Sequence, residues 1–423
     1  MFKTFDTVWE LDSGEELVFT LTENLEYDAQ VIVSSIDDPS DAFGFLLNSD
    51  FGVDSFRLAV GSGSGLYNIR FFGNLPSFKN YDKTQLIDVT QWGDIEWSTT
   101  ESMFEGWDGS SFSATDAPNL SNTTSMRRMF FGASNFSKDL NDWDVSNVTN
   151  MVGVFNGATS FSGDLSSWNV GNVTNMQGMF AGAESFNSNI SGWPVSNVES
   201  TRLMFNSAIS FNQNISGWDI GNVTNMEGMF KNADAFDQPI NSWDISNVAN
   251  LSRMFQDNDG FDQTLDSWKF HPDVDLTNIF DQATGFSCQN YSDILFGWNY
   301  RNLSIIDQNL GPSPTLEYDG AVDILVLPLL EDRGWTVPGA IGDPTATCIS
   351  ENIMYWTGFI NIDWNLPSNW SNIRVPGAGD IVIIPFTNNQ PILDVSTPAI
   401  KSIEILDGAV LTIDANGNLN LEE

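Results

Sequence analysis

A 25-residue repeat runs through the middle of the sequence and constrains its fold more than any other feature. Phenylalanine and tryptophan both recur at this spacing, at Phe136, Phe161, Phe186, Phe211, Phe236, Phe261 and Phe286 and at Trp143, Trp168, Trp193, Trp218, Trp243 and Trp268. A unit of this size cannot bury its own Phe and Trp side chains in isolation. The repeats must therefore stack and share one continuous core.

The spacing of apolar residues within a unit predicts a short strand, a turn and a short helical segment. Ile215, Trp218 and Ile220 approximate the rhythm of leucine-rich repeats, which predicts a strand over 217–221. In the following segment, 224–230, the Met and Phe side chains fall on one helical face behind a polar cap. Stacked units of this kind form an α/β solenoid with parallel strands about 4.8 Å apart.

An asparagine precedes a valine in five successive units, at Asn147, Asn172, Asn197, Asn222 and Asn247. Its amide can bond backbone groups of its own turn and of the neighbouring unit, so we interpret the column as a structural ladder. A methionine column runs beside it. We interpret these methionines as core rather than as a metal or cofactor site, because they alternate with Phe and Val and not with His or Cys.

The phrase W-D-[VI]-[SG]-N-V-T-N-M-x-x-M-F, with F-N-Q-x-[IL] upstream, resembles the BspA-like leucine-rich repeat surface proteins, a group first known as a mycoplasma repeat of unknown function. The resemblance covers roughly residues 86 to 340. It implies surface-exposed bacterial proteins that attach to host matrix, glycans or other cells, and it implies no catalytic residues. The sequence departs from the phrase at Pro194, at Thr201 in place of Met, and at 270–273, where the stack fades out.

The regions on both sides of the repeats contain short alternating runs that predict β-structure. Residues 1–84 predict an Ig- or PKD-like β-sandwich that caps the repeats, 85–286 the solenoid, 287–348 its C-terminal cap, and 349–423 a β-rich module, either a sandwich or the first coils of a β-solenoid. The predicted class is mixed and β-rich, with a leucine-rich-repeat-like α/β solenoid between all-β segments. We expect the natural chain to continue past Glu423, because an unfinished β-solenoid exposes a strand edge.

Charge and cysteine content limit the partners and the compartment. Sixteen basic residues against 56 acidic ones give a formal net charge of −40, which argues against nucleic acid as a partner. No apolar run reaches the length of about 18 residues that membrane insertion requires. The N-terminus lacks the apolar segment of a signal peptide, which favours a shortened extracellular chain, with a phage or injection-system origin as the alternative. Cys288 and Cys348 are compatible with one disulfide bridge.

The sequence gives no sign of an active site. Its single histidine, His271, has no Cys, second His or H-E-x-x-H motif around it, so a zinc site or a Ser-His pair is disfavoured. With 56 acidic residues, a close pair of carboxylates carries no information about general acid–base chemistry. We therefore expect a protein that is not an enzyme and that needs no cofactor.

The outward face of the predicted strands is the candidate ligand-binding surface, because alternate residues there leave the core and recur at a fixed spacing. Its residues are Asp142, Asp144, Asn169, Asp219, Asp244 and Lys269. Small polar side chains suit hydrogen bonding to a protein or glycan, and carboxylate and amide oxygens suit weak Ca²⁺ binding. An ice-binding surface is disfavoured, because Glu199 and Ala249 interrupt the threonine column.

These observations predict a bacterial cell-surface adhesin or display protein, monomeric as a fragment, that binds an extracellular protein or glycan. A passive spacer or stalk of a larger surface or virion protein is the alternative. A polysaccharide-active enzyme is less favoured, because the repeats contain few basic residues.

Overall fold

The structure is a computed structural model, and the residues that it describes form a β-rich chain with few helices, in agreement with the predicted mixed, β-rich class. The described residues are 4–11, 16–20, 28–37, 42–48, 55–59, 65–74, 79–80, 85–109, 111–312, 316–318, 322, 326–341, 353–358, 360–371, 374–385, 387–394, 396–406 and 408–421. The chain divides into two compact units, Met1–Phe236 and Asp237–Glu423. The predicted domain boundaries at 84, 286 and 348 remain predictions.

The first unit begins with two antiparallel sheets. One contains β1 (Phe5–Leu11), β3 (Asp28–Ser35), β4 (Ala42–Asn48), β6 (Gly65–Asn74) and β8 (Leu86–Gln91) in the order β4-β3-β6-β1-β8. The other contains β2 (Glu16–Thr20), β5 (Ser55–Ala59) and β7 (Lys79–Asn80) in the order β5-β2-β7. Alternate side chains of β1 are buried, as the two-residue period of a strand requires. Strands were expected here and are present, while their packing as an Ig-like sandwich remains a prediction.

The repeats of the first unit contain neither the predicted strand nor the predicted helical turn, and both predictions were wrong. Residues 217–221 and 226–230 form turns and irregular backbone. Successive repeats instead pair in parallel through one residue each, namely Ser125, Asn150, Asn175, Ser200 and Asn225. The N–H groups of Thr201, Leu203 and Phe205 donate to carbonyls of the next repeat at 2.8–3.0 Å. Between them, the N–H groups of Arg202 and Met204 donate within their own repeat, to the Ser200 hydroxyl at 3.4 Å and to the Thr201 carbonyl at 2.9 Å.

Left-handed backbone at fixed positions explains why no helix forms. Two residues in each of these repeats have φ between +54° and +73°, and these pairs are Arg128 and Gly132, Gly153 and Gly157, Gly178 and Gly182, Leu203 and Ser207, and Gly228 and Asn232. A left-handed residue ends an α-helix, and a bulky one such as Leu203 occupies this region at a cost of about 1–2 kcal/mol. Backbone N–H groups of these segments therefore donate to the neighbouring repeat, where an α-helix would bond them within its own segment.

Columns of aromatic rings form the core of these repeats. Phe155, Phe180 and Phe205 stack with ring centroids 5.6 and 5.7 Å apart and with their planes within 5° of parallel. Within one repeat, Phe186 stacks on Phe180 at 3.8 Å. The indole N–H of Trp193 donates to a carbonyl of the preceding repeat at 3.0 Å. Stacking and hydrogen bonding therefore both connect each repeat to the next one.

A methionine column lies beside the aromatic columns. Met126, Met151, Met176 and Met226 are fully buried. Thr201 takes the equivalent place in its repeat and is 2% exposed. Its hydroxyl has no hydrogen-bond partner among the described residues. This repeat therefore buries an unsatisfied polar group where its neighbours bury a thioether.

The second unit opens with repeats of the same kind and continues into a helix. Phe255 and Phe261 stack at 4.3 Å, and the indole of Trp268 donates to the carbonyl of Ile240 at 3.2 Å. The elements that follow are α1 (Cys288–Arg301), β9 (Glu317–Tyr318), α2 (Leu327–Glu331) and β10 (Ala340–Ile341), with β9 and β10 paired in parallel. Over the described residues, no helix is long and apolar enough to cross a bilayer.

The C-terminal part of the second unit consists of short parallel strands around a tryptophan-rich core. Its elements are β11 (Ile353–Tyr355), a 3₁₀ helix (Pro367–Asn369), β12 (Ile381–Ile384), β13 (Ile392–Leu393), β14 (Ser402–Ile405) and β15 (Thr412–Ile413). The strands pair in the orders β11-β12-β14 and β13-β15. Trp356, Trp364 and Trp370 are buried between them. The predicted strands of this region are present, and all three pairings of these strands are parallel.

The two cysteines were predicted to form a bridge. Cys288, the first residue of α1, is disulfide-bonded. Cys348 lies outside the described residues, so its pairing with Cys288 remains a prediction.

Candidate ligand-binding surface

The predicted ligand-binding residues of the first unit lie on the surface, but their side chains stabilise their own turns. The Oδ1 atoms of Asp144, Asn169 and Asp219 accept hydrogen bonds from the backbone N–H two residues later, at 3.0, 3.1 and 3.3 Å. Each forms an Asx turn, in which a side-chain oxygen replaces a backbone acceptor. Asp142 is exposed as well. These acceptors are therefore partly used by the fold before any ligand arrives.

The two predicted ligand-binding residues of the second unit, Asp244 and Lys269, have different surroundings. Asp244 accepts from the Ser246 backbone N–H at 3.1 Å and from its hydroxyl at 2.7 Å. The hydroxyl bond, and after it the backbone bond, lowers the pKa of Asp244 from its usual value. Lys269 instead lines a pocket beside the C-terminal end of α1. Lys269 therefore does not share the turn-forming role of the aspartates.

The asparagine column ties successive repeats together. The Nδ2 atoms of Asn147, Asn172, Asn197 and Asn222 donate to carbonyls of the preceding repeat at 2.7–3.0 Å. These side chains are nevertheless exposed, as is Asn247 in the second unit. Only one end of each amide is therefore used in stacking, and the other end lies at the surface.

A second column of exposed residues, Thr174, Glu199 and Thr224, lies two residues after Asn172, Asn197 and Asn222. The two columns line a shallow concavity of about 450 Å³, formed by Asn172, Thr174, Asn197, Glu199, Asn222 and Thr224, which we call the Asn–Thr groove. The valine between each pair, as at Val198, is buried. Alternation around a buried residue places both columns on one face. The sequence analysis treated the columns separately and missed this surface, although the exposed-buried-exposed pattern of Asn-Val-Thr was its signal.

The groove presents mainly acceptors, because its hydroxyl and backbone donors are used within the protein. The hydroxyl of Thr174 donates to a carbonyl of the preceding repeat at 3.4 Å, and that of Thr224 does so at 3.2 Å. The backbone N–H groups of Glu199 and Thr224 donate in the same direction at 2.8 and 2.9 Å. Among the described contacts, the asparagine Oδ1 atoms of the groove accept no hydrogen bond. A ligand that supplies donors is therefore matched to these asparagine oxygens.

Groups typical of catalytic and metal sites take local roles in the described residues. The Nδ1 atom of His271 accepts from the backbone N–H of Asp273 at 3.1 Å and so stabilises its own turn. Within the part of the chain that the structure describes, no three His, Cys, Asp or Glu side chains converge as ligands of a metal ion.

Comparison with known proteins identifies relatives for two parts of the chain. Residues 98–216 and 188–294 match the family model described as "Mycoplasma protein of unknown function, DUF285". Residues 355–423 match the model of a domain of unknown function, DUF8693. No curated protein and no solved structure matches the chain. The first match supports a repeat-domain family for the 25-residue units, which is a coarser assignment than the BspA-like leucine-rich repeat.

Proposed function

We propose that the protein is a bacterial cell-surface adhesin whose stacked repeats form a leucine-rich-repeat-like solenoid and bind an extracellular glycan in the Asn–Thr groove. The observation that carries the proposal is the repeated set of exposed acceptors on three successive repeats, at Asn172, Asn197 and Asn222. The proposed role is binding without catalysis. The resemblance to BspA-like surface proteins and the match to a repeat-domain family support it.

A glycan fits the chemistry of the groove better than other extracellular partners. Its hydroxyl groups supply hydrogen-bond donors in a repeating series, which suits acceptors that repeat along the stack. The carboxylate of Glu199 can accept from two neighbouring hydroxyls in charge-assisted bonds. A net charge of −40 disfavours a polyanion.

The groove also sets the expected strength of binding. None of its six side chains is aromatic, so sugar rings have no stacking platform there and each contact is weak. Repetition compensates, because a long glycan engages several repeats at once and the effective concentration of the later contacts is high. Affinity should therefore rise with glycan length.

A matched pair of variants tests the location of the site. Thr174→Trp with Thr224→Trp fills the groove without altering the asparagine amides that hold the repeats together. The control replaces Asp144, Asp219 and Asp244 with Lys on the predicted acidic face. On an array of glycans and matrix proteins, the groove variant should lose about tenfold or more in affinity for the bound glycan, while the control retains it.

Three other outcomes contradict parts of this proposal. Loss of binding in the Lys variant alone would move the site to the acidic face. Binding of matrix proteins with no glycan bound would make the partner a protein. If the wild type binds nothing on the array, the repeats act as a passive spacer.

A further inference from the structure

A second concavity, of about 270 Å³, lies in the second unit at the C-terminal end of α1. Its lining consists of Lys269, Tyr300, Arg301, Leu303, Ser304 and Leu406. Two of these six side chains are cationic, in a chain that has only 16 basic residues against 56 acidic ones. The charge of this pocket thus runs opposite to that of the protein as a whole.

The backbone on either side of Lys269 is fixed by one buried residue. Asn302 accepts a hydrogen bond from the N–H of Phe270 at 2.8 Å and donates to the carbonyl of Trp268 at 3.1 Å. Both neighbours of Lys269 are therefore held against the end of α1, while the lysine side chain itself is exposed. The ammonium group is presented from a rigid support, which reduces the ordering cost of binding.

Arg301 supplies the second cation and an unused donor. Its side chain is 3% exposed, and its two terminal nitrogens bond Glu404 at 2.6 and 2.7 Å. Its Nε is buried and has no partner among the described residues. An unsatisfied buried N–H costs about 1–3 kcal/mol, so a shift of the Arg301 side chain that brings this N–H to an oxygen atom is favourable.

Neither Lys269 nor Arg301 is needed as a hydrogen-bond donor to the carbonyl groups at the C-terminal end of α1. Arg333 donates to the carbonyl of Asn302 at 3.0 Å and to that of Asn299 at 3.3 Å, and so caps the last turn of α1. The acids near Arg301 are also engaged. Glu404 pairs with Arg301, whose hydrogen bond together with a weaker effect of Lys269 lowers the pKa of Glu404. Asp266 is buried and accepts from the hydroxyl of Tyr355 at 3.2 Å.

We propose that this pocket binds the carboxylate of an acidic monosaccharide unit such as a uronic acid. Lys269 binds the carboxylate, Arg301 adds positive charge while its fork stays bonded to Glu404, and the Ser304 hydroxyl bonds a ring hydroxyl. Leu303, which is 48% exposed, and Leu406 provide the apolar wall that the C–H face of a sugar ring needs. A volume below that of most drug-sized sites suits one sugar unit. The site shares no residue with the Asn–Thr groove and does not depend on it.

Isothermal titration of the full chain with sodium glucuronate and with glucose, at constant ionic strength, tests this site. Glucuronate should bind saturably and glucose at least about tenfold more weakly, the difference expected for one or two charge-assisted hydrogen bonds. Lys269→Met should weaken glucuronate binding about tenfold. Glu404→Gln should strengthen it several-fold, because it removes a negative charge beside the pocket and releases one arm of the Arg301 fork. Lys401→Met, a lysine of the same unit outside the pocket, serves as the matched control and should change nothing.

The proposal is overturned if glucuronate does not bind to the wild type. Equal binding of glucose overturns the carboxylate assignment, and equal loss in Lys401→Met would show a general charge effect. Glu404→Gln keeps the test independent of lost folding, because a gain in affinity cannot come from an unfolded pocket.

Discussion

Replacing Thr201 with Met should stabilise the first unit. The threonine lies in a column whose other members, Met176 and Met226 among them, are fully buried methionines, so the site is shaped for a longer apolar side chain. Its hydroxyl is buried without a partner, and removing such a group recovers about 1–3 kcal/mol. The extra buried carbon adds about 1–2 kcal/mol, and fixing the Met rotamer costs about 1.5–2 kcal/mol. The net gain expected in the free energy of unfolding is about 0–3.5 kcal/mol.

Two companion variants separate the causes of this gain. Thr201→Val keeps the volume and removes only the hydroxyl, so it should recover the polar part alone. Met176→Thr creates the same defect in the neighbouring repeat and should destabilise the unit by about 2 kcal/mol or more. Urea unfolding followed by tryptophan fluorescence measures all three. If Thr201→Val and Thr201→Met are both neutral or destabilising, the hydroxyl has a partner or the site rejects Met, and the reasoning fails.

Three further predictions concern the backbone, the indole bonds and the acidic turns. Gly178→Ala should lower the free energy of unfolding by about 1–2 kcal/mol, because φ is +59° there. Gly192→Ala, with open space around its Cβ position, should change stability little. Equal effects of the two variants in urea unfolding would contradict the left-handed assignment. Trp218→Phe should lose about 0.5–1.5 kcal/mol, because the Ile190 carbonyl loses the indole hydrogen bond and keeps only the one from the Trp193 N–H, and an unchanged unfolding midpoint would refute this. The lowered pKa of Asp244 means that its bonds add stability above the unfolded-state pKa and lose it as pH falls through the folded-state pKa. Ser246→Ala should raise this pKa, and an NMR titration that shows no rise would exclude the Ser246 hydroxyl bond as its main cause.

Much of the core was predictable from the sequence, whereas the backbone of the repeat was not. The Phe, Trp and Met columns recur at a fixed spacing, and apolar side chains that recur in this way must be buried in a shared core. The strand and helix assignments failed because they used spacing alone. Gly153, Gly178 and Gly228 recur at a left-handed position and were the signal against a helix. Leu203 breaks that signal at the same position, so a single repeat gives no reliable rule.

The candidate sites show a similar division. Asp144 and Asp219 were placed correctly on the surface, but their Asx turns depend on local backbone geometry that a strand assignment hides. The Asn–Thr groove follows from alternation around a buried valine, and this pattern was readable. The pocket at Lys269 was not, because Arg301 and Leu406 reach it through tertiary packing that no local pattern encodes.

Carbodiimide labelling of carboxylates, read by mass spectrometry, tests the central claim most directly. Glu199 lies in the groove, and Asp144 and Asp219 lie on the neighbouring acidic face of the same unit. With the bound glycan at saturation, we predict that labelling of Glu199 falls several-fold while labelling of Asp144 and Asp219 stays constant. Protection of Asp144 and Asp219 with Glu199 unchanged would contradict the assignment of the groove as the binding surface.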